Sequence, residues 1–141
     1  MTIPIMVLLA FAGWTLLTLI ASVGVYRWSR ILTGRVPIDA WRADVPQGCD
    51  WYQRAMRAHM NCIENLPIYG AVVVALSATG LHSPVIDNLA ITMLAGRIGQ
   101  TLVHIAAQPS AMAAGIRFAL YFLQIVCITC MGLIIAIAAF N

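Results

Sequence analysis

The sequence predicts an all-α integral membrane protein, a bundle of four transmembrane helices forming one domain, and three observations carry that reading. Of 141 residues, 62% are hydrophobic and 9% charged, with a mean hydropathy of +0.89; soluble domains are ~45–50% apolar and ~25% charged. Four stretches are each long enough to supply the ~20 helical residues that a hydrocarbon core requires. All eight cationic residues are arginines, at 27, 30, 35, 42, 54, 57, 97 and 117, and six of them flank or occupy the connection between the first two stretches. A chain so composed leaves no room for a soluble or nucleic-acid-binding domain. A lipid bilayer is its expected surrounding.

The first helix is expected at about 4–32. Residues 3–26 carry no charge, and Arg27 and Arg30 mark the end. A secretory signal would need a basic segment ahead of the apolar run, but only Met1 and Thr2 precede it, so the run reads as a retained helix. Thr33-Gly34-Arg35-Val36-Pro37 breaks it. The loop that follows carries Asp39, Arg42 and Asp44, with Trp41 and Trp51 suited to the membrane–water interface. A second helix is expected at about 50–79, with Asp50 as its N-cap and its first two turns projecting from the bilayer. Pro67 inside it removes one backbone bond and is expected to kink it. Ser83 caps and Pro84 opens a third helix at about 84–107. Gln108-Pro109-Ser110 ends that helix, and a fourth follows at about 111–139. By the positive-inside rule the arginine-bearing loops face the cytoplasm and both termini lie on the other side.

Polar residues recur within these apolar runs at helical spacing. Arg57, Asn61 and Glu64 share one face of the second helix. Glu64 lies about one turn inside the hydrocarbon, where an unpaired carboxylate costs at least ~2.5–3.5 kcal/mol. The third helix carries Arg97, Gln100 or Thr101, and His104; the fourth carries Arg117, Tyr121 and Gln124. At ~1.5 Å per residue Arg97 lies ~20 Å along its helix, a depth similar to that of Glu64 on the antiparallel neighbour. The two are expected to pair. All three stripes, with Arg54, are expected to converge on a polar cleft at the cytoplasmic end, where the surplus of cations favours an anionic ligand.

Other polar positions point elsewhere. His59 falls about 200° around the helix from Arg57 and faces away from the stripe. His82 sits in a turn. Cys127-Ile128-Thr129-Cys130 lies deep in an apolar helix, where thiols behave as small hydrophobes. Cys49 and Cys62 are expected to stay free on the reducing side. No metal site is expected from so scattered a set of His, Cys and carboxylate residues.

Arg57-Ala58-His59-x-Asn61-x-x-Glu64-Asn65, closed by Pro67, resembles the MAPEG family, membrane-associated proteins in eicosanoid and glutathione metabolism that include microsomal glutathione transferases and prostaglandin E synthase. The resemblance continues in Ile31-Leu32-Thr33-Gly34, in Gly96-Arg97 and in Ile116-Arg117-x-x-x-Tyr121, and so spans nearly the whole chain. It implies a homotrimer of four-helix subunits, with glutathione bound between neighbours near the cytoplasmic side. On this resemblance Arg57, Asn61 and Glu64 match glutathione-binding positions and Tyr121 a further contact. Arg97 matches a family arginine near the site. Arg117 matches the arginine credited with stabilising the thiolate and is the expected catalytic residue. His104, counted with the glutathione-binding set, stands where well-studied members carry tyrosine. Gln100 stands where some carry histidine and Phe118 where some carry serine. Met60 and Pro37 occupy places that are basic in some members. The pattern resembles a bacterial-type member of the inner membrane more than a dedicated prostaglandin or leukotriene enzyme.

The function this implies is a glutathione-dependent transferase or peroxidase acting on lipophilic electrophiles or lipid hydroperoxides, with glutathione as co-substrate. Two alternatives stay open: an enzyme of the same fold using another thiol or ligand, and a membrane scaffold without a reaction.

Overall fold

The computed structural model describes residues 1–42 and 47–140; Asp44, one of the loop charges, lies outside the described residues. Four helices are long and apolar enough to cross a bilayer: α1 (Ile3–Leu32), α2 (Asp50–Thr79), α3 (Pro84–Ala106) and α4 (Ala111–Phe140). No strand occurs among the described residues. Large apolar side chains such as Leu17, Val74, Ile91, Phe122, Leu133 and Ile137 point outward, as lipid contact allows and water does not.

α1 is not a uniform α-helix. It passes through a π-turn, Leu19–Gly24, between α-helical Ile3–Thr18 and Val25–Leu32. Hydroxyls crowd the preceding ladder: Thr15 Oγ1 donates to Phe11 O at 2.9 Å and Thr18 Oγ1 to Thr15 O at 2.8 Å, and Ser22 Oγ donates to Thr18 O. Such back-bonding competes with main-chain pairing and loosens the helix locally, and a π-turn admits one extra residue there. Gly24 fits because a Cβ would stand 3.3 Å from Leu19 O. No feature of the apolar pattern announced this turn.

Helix ends follow local chemistry. α1 closes in a Schellman motif, with Gly34 at φ 68° and hydrogen bonds from Gly34 N to Ile31 O and Arg35 N to Arg30 O, both 3.0 Å. At the start of α2 the N-cap is Cys49 and not Asp50; Asp50 is the first helical residue and uses its carboxylate on Arg54. Ser83 caps α3 as expected, accepting from Val85 N at 3.3 Å, and Ser110 Oγ accepts from Ala113 N at 3.1 Å to start α4. The helix of α2 runs on through Pro67.

α3 and α4 form the most extensive helix pair. Gly96 and Gly99 allow it: a Cβ at Gly96 would lie 3.3 Å from Gln124 Cγ and 3.5 Å from Leu120 O, and one at Gly99 3.5 Å from Leu120 Cδ1. Small residues bring helices close where lipid supplies no hydrophobic drive between them. An apolar core of Phe11, Tyr69, Val73, Ile86, Met93 and Met131 fills the half of the bundle nearer the α2–α3 turn. Tyr69, buried there, satisfies its hydroxyl on Pro4 O at 3.1 Å. Toward the α1–α2 loop the interior turns polar, with Arg97, Gln100, Thr101 and Gln124 all buried.

Candidate functional site

The polar residues gather in the half of the bundle nearer the α1–α2 loop. The α2–α3 contact is fastened at two points there. Asn61 Nδ2 and His104 Nε2 are 3.2 Å apart, and Cys62 Sγ lies 3.6 Å from Thr101 Oγ1. With the amide donating, the imidazole accepts at Nε2 and carries its proton on Nδ1. Arg117 on α4, Arg57 on α2 and Arg97 on α3 all lie within electrostatic reach of that ring. Side chains of α2, α3 and α4 therefore converge on His104, and the convergence is strongly cationic.

Exposure divides the set. Arg57, Glu64 and Tyr121 are exposed on the outer surface of the subunit, while Asn61, His104 and Arg117 are half-buried beside them. A carboxylate and a guanidinium on the outside of a membrane bundle are unsatisfied by lipid alone. Tyr121 follows Arg117 by one turn of α4, and Phe118 and Phe122 stack with ring centroids 6.3 Å apart on the neighbouring outer surface.

Arg97 departs from expectation. It is fully buried, its Cζ 5.7 Å from the centroid of the Phe11 ring, and none of its three guanidinium nitrogens makes a hydrogen bond. The expected Glu64–Arg97 ion pair is not formed within the subunit. Depth along two antiparallel helices sets level only; rotation about the axis turns Glu64 outward and Arg97 inward.

Arg54 is likewise not in the cleft. It pairs with Asp50 one turn earlier on α2 and its Nε donates to Ile105 O at 3.4 Å, tying α2 to the end of α3. The α4 stripe splits, because Gln124 turns into the core and its Nε2 donates to Gln100 Oε1 at 3.0 Å and Leu120 O at 2.8 Å. His59 faces away from the stripe, as the spacing indicates, buried against the backbone of Thr15 on α1.

An aromatic–arginine clamp at the loop end went unread in the sequence. Tyr26 and Tyr52 stack at 4.3 Å, Arg27 Nε donates to Tyr52 Oη at 2.5 Å, and the Arg30 guanidinium lies 4.5 Å over Tyr26. Trp41 from the loop packs edge-on against Tyr26 at 6.0 Å. The signal was present in aromatic residues at 26, 41, 51 and 52 interleaved with arginines, a composition that favours cation–π contact. This clamp fixes α1 against the first turns of α2. At the other end of the molecule a cavity of about 200 Å³ between the start of α1 and the α2–α3 turn is lined by His82 and Asp87 among others. It includes none of the stripe residues.

No curated protein and no solved structure matched the chain. The family model described as MAPEG family matches residues 5–137, from the first turn of α1 to the last turns of α4. With four membrane-spanning helices and a match over nearly its whole length, this integral membrane protein belongs to the MAPEG family.

Proposed function

We propose that the protein is a glutathione-dependent transferase or peroxidase, in which the cationic cluster around His104 binds glutathione and lowers the pKa of its thiol. The observation that carries this reading is the convergence of Arg117, Arg57 and Arg97 on an imidazole held by Asn61, beside Arg57, Glu64 and Tyr121 exposed at the surface. Glutathione carries two carboxylates, an ammonium and a thiol. The arginines suit its carboxylates, Glu64 its ammonium, and Arg117 its thiolate. Exposed charge on the outer face suits a site completed by neighbouring subunits, in keeping with a homotrimer.

A free thiol has a pKa of ~8.5 and reacts as its thiolate. A guanidinium ~4 Å from the sulfur contributes ~4 kcal/mol at an effective dielectric of ~20, and desolvation of the thiolate cancels part of that. With a lipophilic electrophile, the sulfur lone pair forms the new C–S bond and the leaving group departs with its electrons. With a lipid hydroperoxide, two glutathione molecules are oxidised to the disulfide as the O–O bond is reduced to alcohol and water. The second substrate enters sideways from the bilayer past Phe118 and Phe122.

The test is a near-ultraviolet difference titration of glutathione on the purified protein. Bound thiolate is expected well below pH 8 in the wild type, and Arg117→Ala is expected to return the titration toward ~8.5. Glutathione bound only as the thiol, or an unchanged titration in Arg117→Ala, overturns the assignment of Arg117.

A further inference from the structure

Each helix buries a polar atom that finds no hydrogen-bond partner: Trp14 Nε1 on α1, Asn65 Nδ2 on α2, all three guanidinium nitrogens of Arg97 on α3, and Gln124 Oε1 on α4. Asn65, Arg97 and Gln124 are 2%, 0% and 0% exposed, so neither lipid nor a neighbouring subunit reaches them without rearrangement. The register puts them together. Cys62 faces Thr101 across the α2–α3 contact, and one turn further along each antiparallel helix Asn65 comes level with Arg97. Gln124 lies against Gly96 and bonds Gln100, which brackets the same level on α3. Phe11 covers the guanidinium from α1, and Trp14 follows three residues later on the same face.

The hydrogen-bonding capacity of this level is lopsided. Arg97 offers five N–H groups, the Asn65 amide two and the Trp14 indole one, against one unpartnered acceptor beside them, Gln124 Oε1. It also carries a full positive charge in a low-dielectric interior, where a charge without a counter-charge is strongly destabilising. Glu64 and Tyr121 are both exposed, and among the described residues no carboxylate forms an ion pair with Arg97. Buried polar sites of this kind are ordinarily satisfied by a bound species with the complementary groups.

We propose that the bundle interior holds one small inorganic anion of the halide class, bound between the Arg97 guanidinium and the Asn65 amide, with a water on Gln124 Oε1. The site shares Arg97 with the cluster around His104 but is otherwise lined by Asn65, Gln124 and Phe11, none of which the glutathione reading uses. Its occupancy neutralises Arg97 and leaves Arg117 and Arg57 as the cations that act on His104.

Two measurements on the full-length protein test this. Crystals grown in bromide are expected to show an anomalous peak beside the Arg97 guanidinium. In detergent, chloride or bromide is expected to raise the thermal unfolding midpoint saturably, relative to gluconate at equal ionic strength. Arg97→Gln is expected to abolish that anion dependence. Asn65→Ala is expected to weaken it by roughly tenfold or more, the effect of one lost charge-assisted hydrogen bond. Coincident midpoints in chloride and gluconate overturn the proposal. So does a map showing only water, or the Glu64 carboxylate swung in beside Arg97. A bromide peak without stabilisation marks an adventitious ion only and also counts against it. If Arg97→Gln fails to fold, the wild-type map and midpoints decide.

Discussion

Glu64→Leu distinguishes two environments by the sign of its effect. Glu64 is exposed on the outer face of α2, one turn from half-buried Asn61. If lipid covers that face, the carboxylate costs ~2.5–3.5 kcal/mol near mid-membrane, and leucine removes the cost. If a neighbouring subunit covers it, the carboxylate is paired or hydrogen-bonded there, and leucine strands its partner at a cost of ~3–5 kcal/mol. Converted at 1.4 kcal/mol per decade, that is roughly two to three and a half orders of magnitude in the assembly constant. The second outcome is expected, because Arg57 and Tyr121 share the exposure and lipid satisfies none of them. Native mass spectrometry across a detergent dilution series, without glutathione, reads the oligomer fraction directly. An oligomer in Glu64→Leu as persistent as the wild type, or more so, refutes the reasoning.

Other outcomes follow from particular contacts. Gly96→Leu is expected to force α3 from α4 against Gln124 and the Leu120 carbonyl, costing ~1–3 kcal/mol, whereas Gly99→Ala meets only ordinary van der Waals contact and stays near neutral; thermal unfolding in detergent compares them. Tyr69→Phe removes the hydrogen bond to Pro4 O and is expected to lower stability by ~0.5–1.5 kcal/mol, visible as earlier proteolysis at the N-terminus. The exposed Cys49 thiol titrates below the usual thiol value, chiefly because the Tyr52 backbone N–H donates to its thiolate, with help from the Tyr26 hydroxyl and Arg30. Its alkylation rate is therefore expected to fall only as pH drops through that lowered value, with a midpoint below that of a free cysteine measured alongside, and Tyr26→Phe is expected to move the midpoint up; a profile matching a free cysteine contradicts this.

The four helices were legible because crossing hydrocarbon demands long apolar runs, and the runs are separated by glycine, proline and capping serine. The stripe Arg57, Asn61, Glu64 was legible as a shared face for the same geometric reason. What spacing could not convey was which way each face turns. Arg97 and His104 lie two turns apart on one stripe, yet Arg97 is enclosed beneath Phe11 while His104 reaches the edge to meet Asn61. That difference depends on which neighbour each side chain meets, Phe11 of α1 or Asn61 of α2, a tertiary fact absent from any single helix. Asp50 looked like a cap because capping residues are acidic or hydroxylic, but its neighbour Arg54 offered a stronger partner. The π-turn left no mark in the hydropathy, since a ladder slip changes neither length nor composition.

That slip fixes the angular phase of α1. An α-helix advances ~100° per residue, so one extra residue accommodated in Leu19–Gly24 rotates everything after it by about that angle relative to everything before. Phe11 and Thr15 are inward ahead of the turn, and Arg27 reaches Tyr52 beyond it. An unbroken helix through the same residues satisfies one of these contacts and misses the other by more than a quarter turn. Deleting a single residue between 19 and 24 thus restores a regular ladder and leaves Arg27 facing Tyr52, whereas straightening the segment at constant length swings Arg27 away and opens the clamp. The stretch therefore tolerates the loss of one residue better than the loss of its π geometry, because the two flanking contacts depend on angle and not on residue count.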